Sequence, residues 1–277
     1  MNRSLVRRYT LGGIVKTTYG LVFQHFRELV GGAIIILAPL QMLDWFISHH
    51  IPAGNGTIAL QILSFFALQL ATPLVLLQVN DVVRGLKPSL GRSLKVYTSD
   101  RVWPFVGTYI AVTLAVGLGI LLLIIPGLIM TAFYLFAMII ATLEGKTVRQ
   151  SMRKSRLLGK GCYFRNVCVL YASWFAIGLP VMVVYIILAA ALGATAGFLF
   201  PTAIEEGALV SLLALVVGIL ASVMVPVVVL PQILLYYDMR ARKEGLDDNR
   251  FVEELRLAGF DADHREKEVA AWTPARS

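Results

Sequence analysis

Residues 234–245 read Leu-Leu-Tyr-Tyr-Asp-Met-Arg-Ala-Arg-Lys-Glu-Gly, and they close an apolar run that begins at Ala208. Along this segment, apolar side chains give way to a pair of tyrosines and then to a basic cluster. A membrane-spanning helix meets its surroundings in the same order, because it passes from hydrocarbon through the headgroup layer into the cytosol. The segment therefore predicts a helix that crosses a membrane and ends on the cytoplasmic side.

The composition of the whole chain favours a membrane protein. Only 15% of its 277 residues are charged and 57% are hydrophobic, whereas a soluble domain carries about 25% charged residues. The apolar residues gather in runs close to the roughly 20 residues that a helix needs to cross a bilayer. The net charge of +8 would suit nucleic acid, but the charges lie at the ends of the apolar runs. We therefore expect no nucleic-acid partner.

The apolar runs divide the chain into a membrane domain and a tail. We expect residues 1–245 to form an all-α, polytopic domain of six transmembrane helices, with basic amphipathic helices at the membrane surface. Residues 246–277 are expected to form a charged cytoplasmic tail that is partly disordered. A tight turn is expected at Pro126-Gly127, between the third and fourth spans. The predicted spans are 29–49, 58–83, 102–125, 128–143, 164–192 and 208–237.

The distribution of positive charge predicts the orientation. All 25 Lys and Arg residues fall in the N-terminal segment, in 84–101, in 144–165, or after the sixth apolar run. The connections on the other side contain none. Cytoplasmic segments of membrane proteins carry an excess of Lys and Arg, so both termini are predicted to be cytoplasmic.

Two groups of residues on the basic side are candidates for binding lipid headgroups or a protein partner. Clustered cations beside a span attract anionic lipid by about 1 kcal/mol per residue, although they can also serve only to set the topology. At the end of the sixth span, the i, i+4 spacing of Asp238 and Arg242 predicts a salt bridge, and the alternative is a simple helix anchor. The candidates are Arg149, Arg153, Lys154 and Arg156 in the linker, and Tyr236, Tyr237, Asp238, Arg240 and Arg242 at the end of the span.

The second span carries a stripe of polar side chains. At about 100° per residue, four of them fall within an arc of about 140°, and they are Gln61, Ser64, Gln69 and Thr72. Polar residues within a span face the interior of the bundle or a wet cavity. The stripe predicts either hydrogen bonds between helices or the lining of a polar groove.

The sequence contains no recognisable catalytic or metal-binding constellation. Its four histidines, His25, His49, His50 and His264, are expected on different sides of the membrane or in the tail. There is no HExxH, GxSxG or P-loop motif. We therefore predict a protein that is not an enzyme and has no catalytic residues, no metal site and no cofactor.

Three stretches give the chain a resemblance to a known family. Residues 234–245 look like the final-span signature of the membrane domain attached to some glycerophosphodiester phosphodiesterases, a domain similar to the YciC-like integral membrane proteins. The other matching stretches follow in the family's order, within a resemblance that covers roughly residues 10–248: Ile125-Pro126-Gly127, Leu143-Glu144-Gly145, and the linker with Ser155, Leu158 and Gly161.

The resemblance implies six helices in a bacterial or archaeal cytoplasmic membrane. It does not imply hydrolysis, because in those phosphodiesterases the activity belongs to a separate barrel of about 250 residues. Only 32 residues follow Gly245 here, so no such barrel is expected.

The sequence leads to one hypothesis about function and one alternative. The hypothesis is an integral membrane protein that binds or organises anionic phospholipid, or acts as a membrane accessory or scaffold. Its expected partners are lipids with anionic headgroups, and a second copy of the chain or another membrane protein. The alternative is a transporter or lipid translocase that uses the polar stripe of the second span.

Overall fold

The computed structural model describes residues 9–50, 55–199 and 222–246, together with positions 215, 216, 218, 219 and 250. Within these residues the chain is helical between short connections and has no strand, which confirms the all-α prediction. The helices are α1 (Leu11–Gln24), α2 (Phe26–His50), α3 (Asn55–Val83), α4 (Leu90–Asp100), α5 (Val102–Leu122), α6 (Ile124–Tyr134), α7 (Ala137–Glu144), α8 (Val148–Gly159), α9 (Tyr163–Ser173), α10 (Leu179–Leu199) and α11 (Met224–Lys243), with a π-helix (Trp174–Gly178) between α9 and α10.

Four helical segments are long and apolar enough to cross a membrane, and they coincide with the first four predicted spans. These segments are Phe26–Ile47, Ile58–Val83, Val102–Leu122 and Ile125–Glu144. The predicted fifth span is helical, but its apolar part, Met182–Thr195, is shorter than the other four. Positions 208–214, 217, 220 and 221 of the predicted sixth span lie outside the described residues, as does the tail apart from Leu246 and Arg250. The structure thus fits a multi-pass membrane protein.

Each basic segment contains a short helix, namely α1, α4 in 84–101 and α8 in 144–165. The first turns of α1 and α8 are stabilised by side chains, whereas Ser89 before α4 forms no such bond. Thr10 Oγ1 accepts a hydrogen bond from Gly13 N at 3.1 Å and begins α1. Gln150 Oε1 accepts from Thr147 N at 3.3 Å and stabilises the first turn of α8. Gly161 follows α8 with a φ of 79°, a conformation that glycine adopts without steric cost.

The turn between the third and fourth spans lies at Leu123 and not at Pro126-Gly127, where we expected it. Leu123 is extended, and α6 already begins at Ile124. Proline is tolerated in the first turn of a helix, because the N–H that it lacks would have no helical partner there. Gly127 serves close packing instead, since a Cβ added to Gly119 would lie 2.9 Å from Gly127 Cα.

Helix α11 lies at the centre of the molecule. It packs against α1, α2, α3, α8 and α9, and Leu230, Ile233 and Leu234 along it are fully buried. Large apolar side chains on α5 and α10 are exposed, such as Leu121 at 82%. Exposed apolar side chains are compatible with a helix whose solvent is lipid hydrocarbon, because lipid tails are as apolar as leucine.

Candidate functional site

Three successive residues of α11 hold three other parts of the molecule. Tyr236, Tyr237 and Asp238 are 1%, 0% and 0% exposed. Neighbouring side chains on a helix point about 100° apart, so three consecutive polar groups can each reach a different element. Because the helix around them is buried, each of these polar groups needs a partner.

The first contact joins α11 to the end of α7. The Tyr236 hydroxyl donates a hydrogen bond to Glu144 Oε1. Glu144 also receives Lys154 Nζ from α8 at 2.8 Å and Lys146 Nζ from the preceding loop at 2.9 Å. One carboxylate therefore brings together two helices and a loop besides its own helix.

The same lysine extends the contact to the end of α11. Lys154 Nζ lies 2.9 Å from Glu244 Oε1, and Arg240 Nε lies 2.6 Å from Glu244 Oε2. Burial by itself raises the pKa of the Glu244 carboxyl, but the hydrogen bonds from Arg240 and Lys154 outweigh it and hold the pKa below its ordinary value. Five charged residues of alternating sign, hereafter the ion chain, result from these contacts: Lys146, Glu144, Lys154, Glu244 and Arg240.

The end of α7 is fixed so that Glu144 can take part in these contacts. Arg101, between α4 and α5, donates from Nη1 to the Thr142 carbonyl at 2.7 Å and to the Leu143 carbonyl at 2.6 Å. Gly145 then leaves the helix with a φ of 64°, a common helix ending. Carbonyls that the last helical turn leaves without a partner are thereby satisfied.

The second contact of α11 reaches the end of α3. The Tyr237 hydroxyl donates to Asn80 Oδ1 at 2.8 Å and accepts from Arg84 Nε at 3.1 Å. Beside it, Asp81 Oδ2 lies 3.6 Å from Arg92 Nη1 on α4. The contact therefore ties α3 and α4 to the central helix.

The third contact holds the beginning of α1. Asp238 accepts from Tyr9 N at 2.6 Å, from Arg165 Nη2 at 2.9 Å and from Arg242 Nε at 2.9 Å. The two arginines also donate to the Tyr9 carbonyl, at 3.2 Å and 2.8 Å. The Asp238–Arg242 salt bridge predicted from the sequence is thus confirmed. A fully buried carboxylate is stable only with such partners.

Helix α8 is hydrogen-bonded to the fourth span at a break in that span. We expected residues 128–143 to form one helix, but α6 ends at Tyr134 and α7 begins at Ala137. The Ser155 hydroxyl donates to the Phe133 carbonyl at 2.9 Å and accepts from Phe136 N at 3.1 Å. A side chain of α8 thus bonds the backbone where the bonds of the helix are interrupted, which orients α8.

A cavity of about 650 Å³ opens beside the ion chain, between α8 and the end of α11. We call this cavity the basic pocket, because four cations and one carboxylate line it: Lys146, Arg153, Lys154, Lys243 and Glu244. Gln150, Leu157 and Leu158 complete the wall. Its volume falls within the range of about 300–1,000 Å³ that is usual for small-molecule sites.

The structure separates the residues that the sequence grouped together. Arg149, Arg153 and Arg156 are exposed on α8, whereas Lys154 is turned inward with a side chain only 17% exposed. Tyr236, Tyr237 and Asp238 are buried against protein groups, as described above. Arg240 lies over the ring of Tyr236, 5.8 Å from its centroid, and Arg242 is bound to Asp238. Of the nine candidates, Arg153 and Lys154 line the basic pocket.

The four side chains of the polar stripe on the second span lie in different environments. Ser64 is buried and donates to the carboxylate of Asp44 on α2, which is the bond between helices that one interpretation predicted. Thr72 donates to the Leu68 carbonyl of its own helix at 3.2 Å. Gln61 is exposed and Gln69 half-buried.

Sequence reasoning missed several residues of the pocket. Lys146, Gln150, Lys243 and Glu244 were not among the candidates, although Lys243 and Glu244 belong to the segment 234–245 that predicts a cytoplasmic helix end. The sequence feature that could have identified Lys243 and Glu244 is their position at the basic end of α11. What the sequence lacked was the pairing of that end with α8, and the neighbouring contact from Tyr236 to Glu144 spans 92 residues.

The chemistry that the pocket offers is recognition of an anion. Arginine and lysine donate charge-assisted hydrogen bonds to phosphate or carboxylate oxygens, and Gln150 adds a neutral amide donor. Across residues 9–50, 55–199 and 222–246, no three His, Cys, Asp or Glu side chains gather where they could share a metal ion. No protein-family model, curated protein or solved structure matches the chain.

Proposed function

We propose that the protein binds and organises anionic phospholipid at the cytoplasmic surface of a membrane, as a non-enzymatic accessory or scaffold. The basic pocket carries the proposal. In the part of the chain that the structure describes, its Arg153 and Lys243 form no ion pair. Their charges are therefore available to a ligand, whereas Lys146 and Lys154 already have carboxylate partners.

The outer face of α8 supports the same proposal. Arg149 and Arg156 are exposed beside Arg153, and Leu157 among them is 57% exposed. A phospholipid likewise has an anionic headgroup next to apolar chains. At about 1 kcal/mol per cation, three arginines would contribute roughly 3 kcal/mol of attraction to an anionic surface.

The proposal includes an orientation in the membrane. We place six spans in a bacterial or archaeal cytoplasmic membrane, with both termini in the cytosol. The arrangement of the basic segments supports this, because α1, α8 and the end of α3 all contact the basic end of α11. Cations from distant parts of the sequence thus gather at one end of the bundle, as expected of a cytoplasmic face.

The test is the amount of anionic lipid that purifies with the protein. We expect the triple variant Arg149→Gln, Arg153→Gln and Arg156→Gln to retain less phosphatidylglycerol and cardiolipin than the wild type, measured by mass spectrometry of the extracted lipid. Lys154 stays unchanged in this variant. Its removal would break the ion chain, because Lys154 is the cation that Glu144 and Glu244 share, and removing one partner from a buried ion pair is strongly destabilising.

A matched control removes three exposed cations elsewhere on the basic side. The variant Lys16→Gln, Lys87→Gln and Lys95→Gln changes the net charge equally but does not touch α8. An equal loss of lipid in both variants would contradict a site on α8. An unchanged lipid content in the arginine variant would leave those cations only their role in topology.

A lipid translocase is the second candidate, and the interruption of the fourth span favours it. Transporters build their substrate sites around discontinuous spans, and α6 and α7 are separated at residues 135–136. The measurement is movement of a headgroup-labelled phospholipid in proteoliposomes, followed by quenching from outside. Quenching beyond the outer half, faster than in empty vesicles, would support the translocase, and Gln61, Gln69 and Thr72 would then be the first residues to replace. No acceleration with correctly inserted protein would exclude it.

A further inference from the structure

We infer that the basic pocket takes a phosphate monoester, such as the headgroup of a phosphatidate-like lipid, in preference to a phosphodiester. This inference rests on the proposed function, because it names the ligand class of the same site. It depends on the count of charges in the pocket and on the donors that the ion chain leaves available.

The charges in and behind the pocket wall do not cancel. The wall has four cations, and it has the carboxylate of Glu244. Glu144 stands behind the wall and is shared by Lys146 and Lys154. Arg240 also stands behind the wall and is paired with Glu244. Five positive charges against two negative ones leave a formal charge of +3.

That excess matches a monoester better than a diester. A phosphate monoester carries about −1.5 to −2 charges at neutral pH and three terminal oxygens. The phosphodiester of phosphatidylglycerol carries a single negative charge, so it would offset less of this excess than a monoester does. Arg153 and Lys243 are exposed, and near a membrane surface each charge pair of opposite sign contributes about 1 kcal/mol, so the ligand with more negative charge is favoured.

The available donors also match three terminal oxygens. Arg153 presents a planar guanidinium that can bind two phosphate oxygens at once. Lys243 carries three N–H donors, and Gln150 carries an amide. These three side chains line the wall next to the lysines of the ion chain, so a phosphate group in the pocket has donors from both α8 and α11.

The exposed Leu157 favours a lipid as the source of the phosphate group. Leu157 lines the pocket and is 57% exposed, so it offers an apolar contact to the acyl chain of a lipid whose headgroup lies in the pocket. Soluble phosphate esters carry the same group, however, and the experiment separates the two sources.

The experiment measures the Kd of full-length protein in detergent micelles for four probes. These are dioctanoyl phosphatidate, dioctanoyl phosphatidylglycerol, dioctanoyl phosphatidylcholine and glycerol 3-phosphate. One extra charge on the ligand predicts that phosphatidate binds about fivefold more tightly than phosphatidylglycerol. The variant Arg153→Gln with Lys243→Gln should weaken phosphatidate binding about thirtyfold and abolish the preference.

A control variant and an unfolding measurement show whether the effect belongs to this pocket. Lys87→Gln with Lys95→Gln removes the same charge from exposed positions outside the wall and should keep the preference. Because Arg153 and Lys243 are exposed and form no ion pair among the described residues, the pocket variant should also unfold at the wild-type temperature.

The remaining outcomes separate this inference from the proposed function. Equal affinity for phosphatidate and phosphatidylglycerol, both tighter than phosphatidylcholine, would overturn the inference and leave the proposed function standing. Equal affinity for all three lipids would overturn both. Binding of glycerol 3-phosphate as tight as that of phosphatidate would support the monoester and replace the lipid with a soluble ester. A preference lost also in the control variant would refute the assignment to this pocket.

Discussion

Ser155 accounts for the position of a whole helix through one hydroxyl. It is 1% exposed and bonds both sides of the break between α6 and α7, at Phe133 and Phe136. Without it, the buried Phe136 N–H and the partly buried Phe133 carbonyl would lose this partner, and leaving a buried group unsatisfied costs about 1–3 kcal/mol. The hydroxyl therefore couples α8, which carries the exposed arginines, to the fourth span.

We predict that Ser155→Ala destabilises the protein strongly. The expected loss is about 2–5 kcal/mol, which corresponds to a fall in Tm on the order of 10 °C. Thermal unfolding of the purified protein in detergent, followed by tryptophan fluorescence, measures it.

Ser173→Ala is the matched control for this variant. Ser173 is fully buried too, but among the described residues its hydroxyl bonds within its own helix, donating to the Val169 carbonyl at 2.7 Å. Its loss should cost less than about 1 kcal/mol. Equal shifts in the two variants would show that the contact across the break has no special role.

Single residues also show what sequence reasoning can resolve. The salt bridge between Asp238 and Arg242 is a local contact, so helical spacing predicts it and the structure confirms it. Lys154 is the opposite case. It stands between Arg153 and Arg156 in the sequence, and only the distant Glu244 and the folded position of Glu144 turn it inward. A spacing rule has no access to such partners.

At the scale of elements, periodicity and length predicted helices better than their interruptions. Apolar runs predicted the first four spans, and basic amphipathic stretches predicted α1, α4 and α8. The break at residues 135–136 has neither glycine nor proline beside it, so the sequence of that span does not predict an interruption of the helix. Its partner, Ser155, lies on the next helix, which makes the break a tertiary feature.

The amphipathic character of α8 was also predictable, whereas the choice of its inner face was not. Ser151, Ser155 and Leu158 are buried, and the arginines are exposed. A short helix with serines on its inner face looks polar on most sides in the sequence. The sequence interpretation therefore grouped Arg149, Arg153, Lys154 and Arg156 as one candidate site for lipid headgroups or a partner, and the structure divides them between the ion chain and the outer face.

For the whole molecule, the proposed topology can be tested by labelling single cysteines in intact cells. In a background with Cys162→Ala and Cys168→Ala, we expect Asn55→Cys and Leu123→Cys to react with a membrane-impermeant thiol reagent. Arg149→Cys should react only after the cells are opened. The reason is that positions 55 and 123 lie at the ends of candidate spans away from the basic segments.

The number of spans has its own reporter. Glu205→Cys lies outside the described residues, in the connection predicted between the fifth and sixth spans. Labelling from outside, as at position 55, supports six spans. Protection at position 205 would mean that only four spans cross the membrane. Labelling of Arg149→Cys in intact cells would show that the orientation is the opposite of the one proposed.

Because the three anchoring side chains of α11 are consecutive, the basic end of the bundle closes at a single moment of biosynthesis. Asn80 and Tyr237 are 157 residues apart, and a ribosome adds about 5–20 residues per second, so Asn80 is made roughly 8–30 s before its partner. During that interval α1, α3 and α7 all lack their contact with residues 236–238. If the ribosome stalls in this interval, the unfinished protein lacks the contacts of residues 236–238 with α1, α3 and α7. We expect membrane proteases to degrade such a chain readily.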